Sequence, residues 1–163
     1  QADKFRFAHL QEALTFVPFG VAVDEFQHIC YANPELTPKE RTYQWHLLEE
    51  KYMPWRRYEN DAFMERGGYW YHKLHIYLYP FYYINYTFTT MGAMEFKKKY
   101  AENKQTAWED YLKLCKTGGS RSYLETLRYA DLANPFEEGS VQRACSYAEK
   151  ILLEQIAAQE QQA

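Results

Sequence analysis

From Leu74 to Met94 the chain runs for 21 residues without an Asp, Glu, Lys or Arg, although a quarter of its residues are charged. That is the length of a membrane span. Its content argues otherwise, because His75, Pro80, Asn85, five tyrosines and three threonines would carry too many polar groups into hydrocarbon, so no membrane partner is expected. Pro80 has a fixed φ and no N–H, which suits the first turn of a helix running onward from it. At about 100° per residue, Phe81, Ile84, Phe88 and Met91 gather on one side, and Tyr82, Tyr83, Tyr86, Thr89, Thr90 and Ala93 on the other. The first face reads as core. The second carries hydroxyls without charge, the make-up of a cleft wall, and His75 stands just ahead of the helix on its approach.

A chain of 163 residues that is 47% apolar can bury roughly two-thirds of its unfolded surface, which suits one domain over 1–163. A net charge of −3 leaves no basic stripe for nucleic acid. Cys30, Cys115 and Cys145 are far apart and form no CxxC pair, which excludes a zinc ribbon and points to a reduced, cytoplasmic protein. The opening QADKFRFAHL lacks the basic and apolar regions of a secretory signal.

In chain order, Phe5 to Phe16 reads as a helical piece interrupted at Pro18 and Gly20, and Val21 to Ala32 as a second piece stopped by Asn33 and Pro34. Glu25 and His28 have the three-residue spacing of bundle metal sites, but a second such pair is missing, so they read as structural or substrate-side support. Thr37-Pro38-Lys39-Glu40 joins an N-cap, a first-turn proline and a capping-box glutamate, opening a helix to about Tyr52. Within it, His46, Glu49 and Glu50 approach H-x-x-E-H but end on the wrong residue. Met53 to Tyr58, rich in aromatic and arginine side chains, suits clamping two helices.

A further helix is expected from Asp61. Gly67-Gly68 lies inside it or ends it and, at about 1 kcal/mol per glycine, marks a bend, a loop or a close backbone approach. His72 and His75 are followed by tyrosines and phenylalanines, poor zinc ligands, so they do not read as a metal pair. Lys97 to Lys99 suit the C-terminal turn of the central helix. Ala107 to Lys116 follows, with Trp108, Tyr111, Leu112 and Cys115 on one face, stopped by Gly118-Gly119. Ser122 to Glu125 is a second capping box, for a short helix to about Leu132. Asn134-Pro135 opens a last helix to about Ile156, with Val141, Ala144, Cys145, Ala148 and Leu152 inward, and Gln159 to Ala163 is expected to fray. No stretch alternates as a strand would. The pattern predicts an all-α domain of about six or seven helices.

The segments FVPFGVAVDEFQH, ANPELTPKERTYQW, KYMPWRRY, HIYLYPFYYINY, AWEDYLKLCKTGGS and NPFEEGSV occur in an order that resembles the C-terminal part of the oligoendopeptidase F family, zinc metallopeptidases related to thimet oligopeptidase. The resemblance implies a helical, zincin-like lobe around a channel, and a helix-borne H-E-x-x-H that binds zinc with a downstream glutamate. That motif is absent here: none of His9, His28, His46, His72 and His75 begins it. The resemblance therefore implies a chain truncated on its N-terminal side, inactive alone, whose partners are short peptide substrates and the missing zinc-bearing part, with zinc in the full-length enzyme and none bound by this chain.

For the residues present, the match to HIYLYPFYYINY implies that His75 and Tyr86 donate hydrogen bonds to the oxyanion formed as water attacks the peptide carbonyl. Tyr83 would contact the substrate, with Tyr82 and Tyr79 as helpers. A phenol is a neutral donor at pH 7, so it can stand beside a metal without competing as a ligand. Asn85 and Thr90 depart from the aspartate and glutamine usual in the family. The alternative is a non-catalytic helical module that binds peptides or a partner through its tyrosine face. Without the zinc-bearing part, the surroundings of Tyr82 and Tyr86 would be left exposed, which predicts self-association of the fragment.

Overall fold

In the computed structural model, which describes residues 2–161, the first 31 of these form one helix, α1 (Ala2–Ala32). Pro18 lies inside it, where the sequence predicts a break. A mid-helix proline costs about 3 kcal/mol. Its neighbours Val17 and Phe19 are both buried, and at about 1.5–3 kcal/mol each they offset that loss.

The chain divides into two compact units, Thr15–Thr87 and the residues up to Leu14 together with those from Phe88. The first contains α2 (Pro38–Tyr52), α3 (Ala62–Glu65), a 3₁₀ turn (Gly68–His72) and α4 (Leu74–Leu78). Helix α2 starts at the expected capping box: Thr37 N–H donates to the Glu40 carboxylate at 2.8 Å and Glu40 N–H to Thr37 Oγ1 at 3.3 Å. Asp61 caps α3 by accepting from the Phe63 and Met64 amides. Gly67 resolves the glycine pair as a close approach: its φ is +97°, and a Cβ there would lie 2.2 Å from the Thr42 carbonyl oxygen. The core joins Phe19, Val23, Phe26, Trp45, Leu48, Met53, Trp70 and Tyr83. Its rings meet mostly edge-on, as the aromatic quadrupole favours, with Phe26–Trp45 centroids 5.4 Å apart.

The uncharged run departs from the expected single helix. Helix α5 (Ile84–Glu102) begins at Ile84 and not at Pro80. Phe81 takes a left-handed φ of +59°, which ends helical geometry between α4 and α5. The break turns the register. Tyr83, assigned by periodicity to the cleft wall, is only 6% exposed and belongs to the core, while Phe81, assigned to the core, lies exposed against the His28 and Tyr31 rings.

The second unit contains the rest of α5, α6 (Lys104–Thr117), α7 (Tyr123–Tyr129) and α8 (Ser140–Glu160). Asn103 caps α6 and the Ser122–Glu125 capping box opens α7, which ends at Tyr129, short of Leu132. On α6 the expected apolar face is largely solvent-facing: Trp108, Tyr111 and Cys115 are exposed and Ala107, Asp110 and Thr117 are buried. The reason is electrostatic. Buried Asp110 receives Lys99 and Lys113, each at 2.7 Å, and Lys99 also reaches Asp131 at 2.7 Å, which turns the polar face inward. Helix α8 starts five residues after Pro135, because Asn134 Oδ1 accepts from the Phe136 amide in a local turn and Gly139 then takes φ +74°. Ala144, Ala148 and Leu152 face inward as expected, but Val141 is exposed. The helix continues past Ile156 to Glu160, and the last two residues of the tail expected to fray lie outside the described residues.

The described residues thus form eight α-helices and no strand, against the six or seven expected; α3 is the helix expected from Asp61, and the short α4 is the added one. Among the described residues no helix is long and apolar enough to cross a membrane.

Candidate functional site

The turn at Pro80 and Phe81 brings α4 back onto the first turn of α5, so residues up to eleven apart in sequence gather around one imidazole. Measured from the His75 ring, centroid distances are 5.1 Å to Tyr83, 5.6 Å to Tyr86, 5.9 Å to Tyr79 and 6.4 Å to Tyr82. Tyr83 and Tyr86 meet it edge-on, and Tyr82 lies nearly parallel at 10°. All five sequence-singled residues therefore share one cluster. They differ in access: Tyr79, Tyr82 and Tyr86 are exposed, His75 is half-buried and Tyr83 is buried.

The Tyr86 hydroxyl lies 3.4 Å from His75 Nε2. The two atoms are hydrogen-bonded to each other, and an oxygen about 2.8 Å from each would see them at an angle of roughly 75°, so one oxygen lies within reach of both once that bond is given up. A phenol and a neutral imidazole carrying its proton on Nε2 are donors of that kind. Asn85 donates from Nδ2 to the Tyr82 carbonyl at 2.8 Å and so supports the turn, which a carboxylate could not do.

Two neighbours were not singled out by the sequence. The Lys73 ammonium sits 4.7 Å from the Phe19 ring centroid and 3.5 Å from the Tyr83 hydroxyl, and burial with the nearby Arg56 charge holds its pKa below the ordinary lysine range. Burial raises the Tyr83 pKa, with Tyr69 and Tyr86 adding to it, so Tyr83 stays a neutral phenol at pH 7. Lys73 was legible only as the last charge before the uncharged run. The second neighbour is Gln27, 1% exposed, whose Oε1 accepts from the Phe81 amide at 2.9 Å. Arg56, by contrast, acts as the clamp expected of its segment, with its guanidinium 4.3 Å from the Tyr69 ring centroid and 3.6 Å from buried Glu49.

The site does not fit a metal centre. Around His75 stand phenols, which are poor zinc ligands. Among the described residues no group of three or more His, Cys, Asp or Glu is placed to hold an ion. Glu25 and His28 separate, Glu25 to Lys51 at 2.9 Å and Tyr52, His28 to Asp24 at 3.4 Å. His46 pairs with Glu50 at 3.5 Å, and His72 turns to the Tyr69 carbonyl.

No family model matches the chain, and no curated protein matches it. Solved structures do. An oligoendopeptidase F structure is 48% identical over 93% of this chain with a TM-score of 0.88, and a PZ peptidase A structure with an inhibitor is 48% identical over 94% with a TM-score of 0.89. An oligoendopeptidase F from Bacillus anthracis str. Ames is 42% identical over 94%, with a TM-score of 0.74. The chain spans about a quarter of the length of these structures, 27%, 27% and 24% respectively.

Proposed function

We propose that this chain, which matches oligoendopeptidase F structures at 42–48% identity, forms the oxyanion-binding and substrate-facing wall of a zinc-dependent oligoendopeptidase that cuts internal bonds of short peptides. The observation that carries this reading is the 3.4 Å separation of the Tyr86 hydroxyl and His75 Nε2 on a solvent-reachable face. When water adds to a peptide carbonyl, negative charge collects on its oxygen. Two donors held 3.4 Å apart by the fold can both reach that oxygen with little movement, which is the form of electrostatic help worth most in catalysis.

Tyr83, expected to contact substrate, is instead buried and backs the His75 and Tyr86 rings at 5.1 and 5.3 Å with its phenol near Lys73, while exposed Tyr82 and Tyr79 offer ring faces to substrate side chains. In this reading zinc is held by residues of the whole enzyme outside this chain, and the chain alone is inactive. The three free thiols support a reducing, cytoplasmic setting.

The test is Tyr86→Phe in the full-length peptidase containing this segment. Kcat is expected to fall about 10²–10³-fold, or about 2.7–4 kcal/mol, with little change in KM. Near-normal kcat with zinc content and fold unchanged would refute the reading. It would favour the alternative, a non-catalytic helical module binding peptides or a partner through the exposed Leu74, Tyr77, Leu78 and Tyr79 surface.

A further inference from the structure

A non-glycine residue with φ near +60° needs something to hold it there, because Cβ crowds the following carbonyl in that conformation. Phe81 is such a residue, and its ring does not supply the hold, since it is exposed and lies against the rings of His28 and Tyr31. The hold comes from α1. Gln27, with almost no exposure, accepts the Phe81 N–H at 2.9 Å across 54 residues of sequence and donates from Nε2 to the Val23 carbonyl at 3.3 Å. A buried amide used at both ends is a fixed post, because turning it would strand polar groups away from water.

We propose that Gln27 is a positioning residue: by fixing Phe81 in the left-handed conformation, it sets the angle at which α4 meets α5 and hence the spacing of His75 and Tyr86. The chain of cause is short. Phe81 is the one left-handed residue between the two helices, His75 is six residues before it and Tyr86 five after. Tyr79 and Tyr82, its near neighbours, ride on the same turn, with the Tyr82 amide donating to the Tyr79 carbonyl at 3.2 Å. Nothing in Gln27 reaches the reacting atoms. Its consequence for catalysis rests on the oxyanion reading above; its consequence for geometry does not.

The first measurement uses the 163-residue chain. Amide exchange at Phe81 is expected to be slowed at least a hundredfold relative to an open chain. In Gln27→Met, of similar volume but no acceptor, exchange at Phe81 speeds at least tenfold and the His75 ring nitrogen signals shift, while α1 amides such as Val23 keep their protection. Gln27→Glu, kept protonated by burial, still accepts from Phe81 with one oxygen and donates its O–H toward Val23, and it restores both readings. Open-chain exchange at Phe81 in the native protein overturns the proposal even if Gln27→Met does not fold, and so do unmoved His75 signals once the bond is lost.

In the full-length peptidase, Gln27→Met is expected to lower kcat roughly tenfold or more with KM within about twofold, the mark of misplaced donors and not of weakened binding. Kcat within twofold of native, where Tyr86→Phe does lower it, also overturns the proposal. If instead Tyr86→Phe leaves kcat unchanged, the oxyanion reading is what fails, and Gln27 stands or falls on the Phe81 and His75 signals.

Discussion

Gly20→Ala is expected to destabilise the chain although it replaces the poorest ordinary helix former with the best. A Cβ at position 20 would lie 1.9 Å from Thr87 Oγ1 and 3.3 Å from Thr87 Cβ. Thr87 is buried, 2% exposed, so it cannot swing into solvent, and a rotation that exchanges its hydroxyl for its methyl leaves the clash in place. Overpacking of this kind costs about 1–3 kcal/mol, and the depth of the overlap sets it at the upper end. Against it stands a helix-propensity gain of about 1 kcal/mol, for a net loss of about 1–2 kcal/mol. Thr87→Ala removes the obstruction and gives up little: its buried hydroxyl has no partner, and the lost methyl is worth about 0.8 kcal/mol. The double variant should therefore return close to native stability, a coupling of about 2 kcal/mol. Urea unfolding reads this as midpoint shifts at constant m-value. Gly20→Ala more stable than native, or effects of the two substitutions that simply add, would refute the close-approach argument.

The full-length enzyme carrying Tyr83→Phe should leave KM little changed, because the phenol is buried behind the site and does not meet substrate; steady-state kinetics decide it, and a marked rise in KM would contradict the burial argument. The Asp110 pKa is depressed by the hydrogen bond from Lys113 first and Lys99 second, so its stabilisation is complete above the unfolded aspartate pKa of about 3.9 and is lost as pH falls through the lower folded value. Asp110→Ala should flatten that acid limb in pH-dependent unfolding and cost about 3 kcal/mol at pH 7, since it leaves a half-buried Lys99 with Asp131 alone. Metal analysis of the zinc-reloaded chain should find no stoichiometric zinc, and one tightly held ion per chain would contradict the donor argument. Sedimentation should show self-association that weakens in Leu78→Asp, as Leu78 is 58% exposed beside exposed Tyr77 and Tyr79.

Helix starts were the most legible part of the fold, because a cap is a local device. Thr37 with Glu40, Ser122 with Glu125 and Asp61 act through bonds no more than three residues long. What escaped was set by distant partners. Pro18 and Gly20 predict an interruption, but α1 runs through both, with Phe19 buried between them and Gly20 meeting Thr87. On α6 the stripe of Trp108, Tyr111 and Cys115 promised an inward face. A carboxylate on the other side, able to collect two ammonium groups, turned the helix the other way.

The candidate site shows the same division at closer range. The residue types of the cluster were legible, since phenols and an imidazole crowded into an uncharged run are unusual in any chain with this much charge. Their roles by periodicity were not. Counting 100° per residue from Pro80 carries Tyr83 to the open face and Phe81 to the core, and one left-handed residue reverses both. That reversal could not be read at Phe81 itself, because nothing about a phenylalanine after a proline asks for φ above zero. It is dictated from Gln27, 54 residues earlier, whose own letter is unremarked among its neighbours in VDEFQH. A polar side chain next to Phe26 and one turn after Val23, both core residues, is the signal that was there to be used: a buried amide must bond to something, and the something is the turn that aims the donors.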